Sequence, residues 1–309
     1  MGDIRLMVLR HQPLILFEVV SLAKKKWWKE RVGEFGVSLL LNAQSLHREK
    51  SKYQDIEILK HDQFGKILVL DGYVQACQAD EFIYHEMAVH VPLLGYRHQK
   101  ASVLIIGGGD GGILRETLVH DFVESVTMVE IDRRVIELSN KFLGIQGNYN
   151  DPRVSLEIED AASFVNTAII DKKSFDLIIL DLTEPVGPSA NLFTEQFISL
   201  LTQLVSEKGM ILDSDSIFIS KEGSHFLQEE STGGENLINL MRRKKLLPKI
   251  DMYRANIPFF PGADFGFFIY SHNNICLREP VLNFTGKHYD PEIHRAAFVL
   301  PKWQRYLLE

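Results

Sequence analysis

Asp110 stands inside the glycine run Gly107-Gly-Gly-Asp-Gly-Gly112, which follows the apolar stretch Val103 to Ile106. Downstream, Val129-Glu-Ile-Asp132 ends a second apolar stretch in carboxylates. This is the pattern of a strand, a glycine turn and a helix start, then a second strand whose terminal acid, Glu130, is placed to hydrogen-bond both hydroxyls of a ribose. Glycines lack a Cβ and let backbone approach a ligand. In a phosphate-binding loop an acid would oppose the anion, so Asp110 makes phosphate or carboxylate a poor guest and an ammonium a good one. Asp181 follows the apolar run Asp176-Leu-Ile-Ile-Leu180, and Glu184 comes three residues later, before Pro185, Gly187 and Pro188. Two carboxylates so placed can bind an amine and accept its proton. Asp160 reads equally as a partner for an adenine amino group and as a helix N-cap. No His or Cys lies near these acids in sequence, so no metal is expected.

These residues need a scaffold that brings them together. From residue 101 the rhythm is strand, helix, strand, with strands expected near 102–106, 125–130, 154–158, 175–180, 209–213 and 265–270. Helices are expected near 111–120, 132–142, 160–170, 193–206 and 220–245. That alternation predicts an α/β fold, a doubly wound Rossmann-like parallel sheet covered on both faces. Its ligand belongs at the carboxyl ends of the strands, where Gly107, Asp110, Glu130, Asp160 and Asp181 fall. Before it, Val37 to Leu46, Tyr53 to Leu59 and Lys66 to Leu70 alternate or cluster apolar residues between turn signals, which predicts a small antiparallel sheet. Glu81 to Pro92 has helical spacing and bridges the two. The expected division is an N-terminal extension over 1–26, a small strand domain over 27–86 that serves oligomerisation, and a catalytic domain over 87–309.

The chain has 309 residues, 45% hydrophobic and 24% charged, with a formal net charge of −7. This excess of acid disfavours nucleic acid and anionic lipid as partners and mildly favours a cationic substrate. Two cysteines, Cys77 and Cys276, make no disulfide framework and suit a reducing cytosol. Residues 13–23 are apolar but carry Glu18 and lead into Lys24-Lys-Lys-Trp-Trp28 instead of a small-residue cleavage site, so a secretory signal is not expected. Arg242 to Lys245 reads as a solvated basic turn.

From Trp28 to the C-terminus the chain resembles the spermidine synthases, within the polyamine aminopropyltransferases. The resemblance rests on Tyr53-Gln-Asp55, Gly65-Lys-Ile-Leu-Val-Leu-Asp-Gly72, Asp80-Glu-Phe-Ile-Tyr-His-Glu-Met87, the glycine loop, Val129 to Asp132, Asp181 to Pro188, Ile257-Pro258 and His294 to Pro301, in that order. It implies a class I methyltransferase-like sheet and a reaction. Decarboxylated S-adenosylmethionine would give its aminopropyl group to putrescine, leaving spermidine and 5′-methylthioadenosine. That donor is a co-substrate, and no other cofactor is implied. Its aminopropyl arm carries an ammonium and no carboxylate, in keeping with Asp110. By the same resemblance Gln54, Asp110 and Asp181 face the aminopropyl end, Glu130 the ribose, and Asp160 with Ala161 the adenine, while Leu70, Gln75, His85, Gly107 and Ile131 complete the donor site. The acceptor would meet Tyr84, Asp181, Glu184, Ser214 and Phe260, with Asp181 as proton acceptor. A homodimer or homotetramer is implied.

The donor half follows the family pattern and the acceptor half departs from it. Glu184 replaces a shorter acid, Phe260 a tyrosine, and Ser214 a glutamine; Asp213, Asp215 and Asp264 add acids near the expected mouth. These changes leave another acceptor open: spermidine, cadaverine or a triamine. Two further readings remain, an S-adenosylmethionine methyltransferase on the same fold and a non-catalytic relative.

Overall fold

The computed structural model describes residues 25–32, 37–96, 100–183, 187–216, 218–220, 223–225, 237–260, 264–305 and 308. Five strands open the chain: β1 (Lys26–Val32), β2 (Val37–Lys50), β3 (Asp55–His61), β4 (Gly65–Leu70) and β5 (Tyr73–Cys77). They pair in sequence order as an antiparallel meander. Its turns come where the sequence supplies them: Gly65 and Gly72 both adopt positive φ. The sequence had marked three of these strands; β1 and β5 are additions.

Helix α1 (Glu81–Gly95) follows and is buried from His85 onward. The large sheet then builds from β6 (Ala101–Gly107), β7 (Val123–Val129), β8 (Val154–Glu157), β9 (Phe175–Asp181) and β10 (Val205–Ser216). Between them lie α2 (Gly112–Leu118), α3 (Arg133–Phe142), α4 (Ala161–Ile170) and α5 (Glu195–Leu201). A short ribbon, β11 (Phe218–Ser220) with β12 (Gly223–His225), precedes α6 (Leu237–Lys244), β13 (Lys249–Asn256) and β14 (Asp264–Ser271). Two short helices, α7 (Pro291–Ala297) and α8 (Lys302–Arg305), come last.

The large sheet has the order β13-β14-β10-β9-β6-β7-β8. Pairs from β10 to β8 are parallel, as expected; β14 runs antiparallel to both β10 and β13. β13 went unforeseen because its edge position lets charged and apolar residues mix. The helix expected over 220–245 is present only over 237–244 among the described residues, and the ribbon occupies part of the remainder.

The central strands are apolar on both faces because both are covered: Val103 to Ile106 and Leu177 to Ile179 are fully buried. One core lies between the sheet and α1, α2 and α7, around Met87, Ile105, Leu177, Met210 and Phe267. The other lies under α4, α5 and α6, around Phe164, Ile178, Phe197, Ile211 and Met241. A third core joins the N-terminal sheet to α3, through Ile56, Ile58, Leu68 and Leu70 against Val135 and Leu138. Truncating one such side chain to alanine costs about 2–5 kcal/mol. This third contact sets the N-terminal sheet beside the carboxyl ends of β6 and β7, next to the β6–β9 junction where the sheet order reverses.

Candidate active site

β6 ends in Gly107, whose φ is +88°, and a Cβ there would fall 2.0 Å from the backbone oxygen of Asp181. Gly108 N–H donates to that same oxygen at 3.2 Å. The glycine loop is thereby stitched to the end of β9, which only residues without a side chain permit. Asp110 turns one carboxylate oxygen inward, accepting from Gly112 N–H at 2.8 Å, and its other oxygen is 3.2 Å from Nε2 of His85.

A cleft with an empty volume of about 830 Å³ opens over this loop. It is lined by Gln54, Leu70 and Gln75 from the N-terminal sheet side, by Gly107 and Asp110, and by Glu130, Ile131, Asp160, Ala161 and Asp181. Ten expected site residues from distant parts of the chain thus meet at one cavity. Glu130 accepts from Asp132 N–H at 2.7 Å. Burial pushes its carboxyl up to about 7. Gly109 makes room for it, since a Cβ there would stand 2.8 Å from its Oε2. Asp160 N-caps α4, accepting from Ser163 N–H at 3.0 Å, and also lines the cleft; the two readings of this residue are compatible in space.

Beyond Asp181 a smaller cavity continues between β5, α1 and the 257–260 segment. It shares Gln75 with the cleft and is lined by Tyr84, His85 and Phe260. Asp181 and Ser214 project from neighbouring strands toward α1, and the Tyr84 hydroxyl joins them, 2.8 Å from Asp181 Oδ1 and 3.1 Å from Ser214 Oγ. Desolvation and the nearby Asp110 push the Asp181 carboxyl up to about 6, against the opposing pull of His85 and Tyr84. The site therefore holds a carboxylate that can accept a proton near neutrality, beside a phenol and at the end of the cleft.

Two of the extra acids do not serve the mouth. Asp213 alternates with Ser214 along β10, so it faces the side of the sheet opposite Tyr84 and is buried there. Asp264 is ion-paired with Arg254 at 2.8 Å and accepts from the Gln304 amide at 2.7 Å. Glu184 lies outside the described residues, as does the side chain of Asp215.

Sequence reasoning left two residues without roles. Asp132 is buried, caps α3 through Arg134 N–H, and accepts from Ser51 Oγ at 2.6 Å and Gln54 Nε2 at 3.1 Å. It latches Gln54 to the end of β7, and its signal was an acid directly before a helix. Glu81 bonds His85, and its signal was the four-residue spacing on a predicted helix.

The spermine/spermidine synthase domain matches residues 81–279, and the spermidine synthase tetramerisation domain matches residues 27–78. The chain belongs to the spermine/spermidine synthase family. The polyamine aminopropyltransferase of Bacillus subtilis (strain 168) is 37% identical over 290 residues, covering 92% of this chain and 99% of that protein. That of Thermoanaerobacter sp. (strain X514) is 38% identical over 290 residues, covering 92% and 98%. Among solved structures, a spermidine synthase in complex with the transition-state analogue AdoDATO superposes with a TM-score of 0.78 at 29% identity, over 94% of this chain and 98% of that one. The spermidine synthase of Thermotoga maritima gives 0.77 at 29% identity, over 95% and 97%. The Rossmann-like architecture with its N-terminal antiparallel sheet is that of these family structures. Like its relatives, the chain is a polyamine aminopropyltransferase-family enzyme.

Proposed function

We propose that this enzyme transfers the aminopropyl group of decarboxylated S-adenosylmethionine to putrescine, giving spermidine and 5′-methylthioadenosine. The observation that carries this reading is the Tyr84–Asp181–Ser214 constellation at the junction of the large cleft and the smaller cavity. The donor's nucleoside would lie in the cleft, with its ribose on Glu130 and its adenine by Asp160 and Ala161. Its arm would then reach Asp110, with the acceptor entering from the side of Tyr84, Phe260 and Gln75.

A primary ammonium has a pKa of roughly 10 and no lone pair to attack with. Asp181, with its pKa raised to about 6, takes the acceptor's proton. The freed amine nitrogen attacks the carbon next to the sulfonium. That carbon–sulfur bond breaks, and its electron pair leaves with neutral methylthioadenosine. The displacement balances without a cofactor or metal, so none is proposed. A carboxylate is a weak base for an amine, and much of the rate comes from in-line positioning and desolvation. In the ion-paired cluster that ends in Asp110, the acids Glu81, Asp110 and Glu116 outnumber the cations His85 and Arg115. The excess negative charge favours an amine-ended arm over one that also carries a carboxylate.

One observation favours a wider acceptor range. Phe260 offers the small cavity a ring packed 5.3 Å from Phe265, where a hydroxyl would hold a short diamine. Further parts of the reading are a strand domain over 27–86 that builds a homodimer or homotetramer, a catalytic domain over 87–309, and a cytosolic setting. Among the described residues no helix is long and apolar enough to cross a membrane. The test is incubation with decarboxylated or ordinary S-adenosylmethionine and a set of amines. Methylthioadenosine from the first supports the proposal; S-adenosylhomocysteine from the second, or neither product, overturns it.

A further inference from the structure

Glu81 is the first residue of α1 and lies one helical turn before His85. Its Oε2 is 2.6 Å from His85 Nδ1. Arg115 of α2 grips the same carboxylate, with Nη2 2.9 Å from Oε2 and Nη1 3.3 Å from Oε1. At the other ring nitrogen, Asp110 Oδ2 is 3.2 Å from Nε2. A carboxylate at each nitrogen requires both to be donors, which is the imidazolium form. The ring is 2% exposed and lies flush on Gly112, where a Cβ would come within 2.2 Å of Cε1. It has no space to turn. The other titratable groups that face it are Tyr84, with ring centroids 5.3 Å apart, Asp181 of β9, and Cys77 and Asp80 across the smaller cavity.

We propose that Glu81 is a positioning residue for the donor: anchored by Arg115, it holds His85 as an imidazolium between two carboxylates and so fixes the direction and charge of Asp110. This rests on the reading that Asp110 meets the donor's ammonium. With Asp110 as sole partner, a charged His85 cancels the carboxylate that the ammonium needs. Glu81, with Glu116 on the other side of Arg115, brings the cluster to three acids against two cations and so to one net negative charge, and the group does not titrate over the working range. Burial works against the imidazolium, yet Asp110 and Glu81 outweigh it and raise the His85 pKa to about 10. Glu81 itself is drawn down to about 2, burial notwithstanding, by His85 and Arg115.

The test is Glu81→Gln with two ligands, decarboxylated S-adenosylmethionine and methylthioadenosine, titrated by calorimetry from about pH 6 to about pH 8. Methylthioadenosine lacks the ammonium, so the ratio of the two affinities cancels the titration of Glu130 and any general damage to the cleft. In the wild type the ratio should stay within about twofold across this range. In the variant, His85 regains an ordinary titration near neutrality, and the ratio should rise about tenfold with pH, one decade per unit of proton release. A ratio as flat in the variant as in the wild type overturns the proposal. Nitrogen-15 spectra of His85 in the wild-type enzyme give a second measurement that needs no variant. Imidazolium shifts that persist to about pH 8 support it, and a titration between about 6 and 7 overturns it. Wild-type enzyme that binds methylthioadenosine but not the decarboxylated donor would instead refute the proposed function.

Discussion

Two acids in the cleft are pushed toward neutrality, and their different tasks give the pH profile a defined shape. Asp181 stands at about 6 and Glu130 at about 7. In the proposed roles each is needed as a carboxylate, so activity should be gained as pH rises through these values and lost below them. At pH 5 an acid of pKa about 6 is ionised in about one molecule in eleven, and one of about 7 in about one in a hundred. The kcat/KM for the donor reports the free enzyme, where both must be ionised, so it should fall about a thousandfold from its plateau by pH 5 and approach a slope of two. In the proposed complex the donor's ribose hydroxyls donate to Glu130 and hold it ionised. Only Asp181 then limits kcat, which should fall about tenfold with a slope of one. Initial rates of methylthioadenosine formation, with donor limiting and then saturating, separate the two profiles. Any titration of the acceptor is common to both and leaves the difference in slope intact. Glu130→Gln should remove one unit of slope from kcat/KM and leave the acid limb of kcat in place. Parallel profiles in the wild type, or an unchanged kcat/KM slope in the variant, would refute this division of labour.

Asp181→Asn keeps the shape and removes the proposed proton acceptor; turnover should drop about a hundredfold or more with donor affinity less affected, and a variant keeping a tenth of wild-type turnover would show another base at work. Gly112→Ala should drive a methyl into the His85 ring, costing about 1–3 kcal/mol by denaturant titration. The same change should weaken donor binding more than methylthioadenosine binding, and equal loss of both would point to general damage. Phe260 and Ser214 predict loose acceptor choice: in a competition among putrescine, cadaverine, spermidine and norspermidine read by mass spectrometry, at least one alternative should come within about tenfold of putrescine in kcat/KM. A putrescine preference above about a hundredfold would mean that these residues do not shape the pocket.

The lining of the large cleft was legible in sequence because each element announces itself locally. Val103 to Gly112 carries a doubly buried strand and its turn in ten consecutive residues, Glu130 and Asp181 each close a strand with a buried apolar end, and Asp160 stands directly before a helix. The surroundings of Tyr84 were less so. Asp213 and Ser214 are neighbours on β10, and their opposite faces follow from the strand period only once the register is known. Asp264 looked like a mouth acid because its partners, Arg254 and Gln304, come from a paired strand and a distant helix. His85 meets Asp110 only through tertiary packing of α1 against the glycine loop, which no local pattern encodes.

In the proposed reaction an aminopropyl group moves intact from sulfur to nitrogen in this cleft. Decarboxylated S-adenosylmethionine labelled with carbon-13 at the aminopropyl carbon next to sulfur, mixed with enzyme and amine, tests it directly by mass spectrometry. The expected result is one labelled polyamine for each methylthioadenosine formed. Methylthioadenosine without labelled polyamine, or no methylthioadenosine, would contradict it.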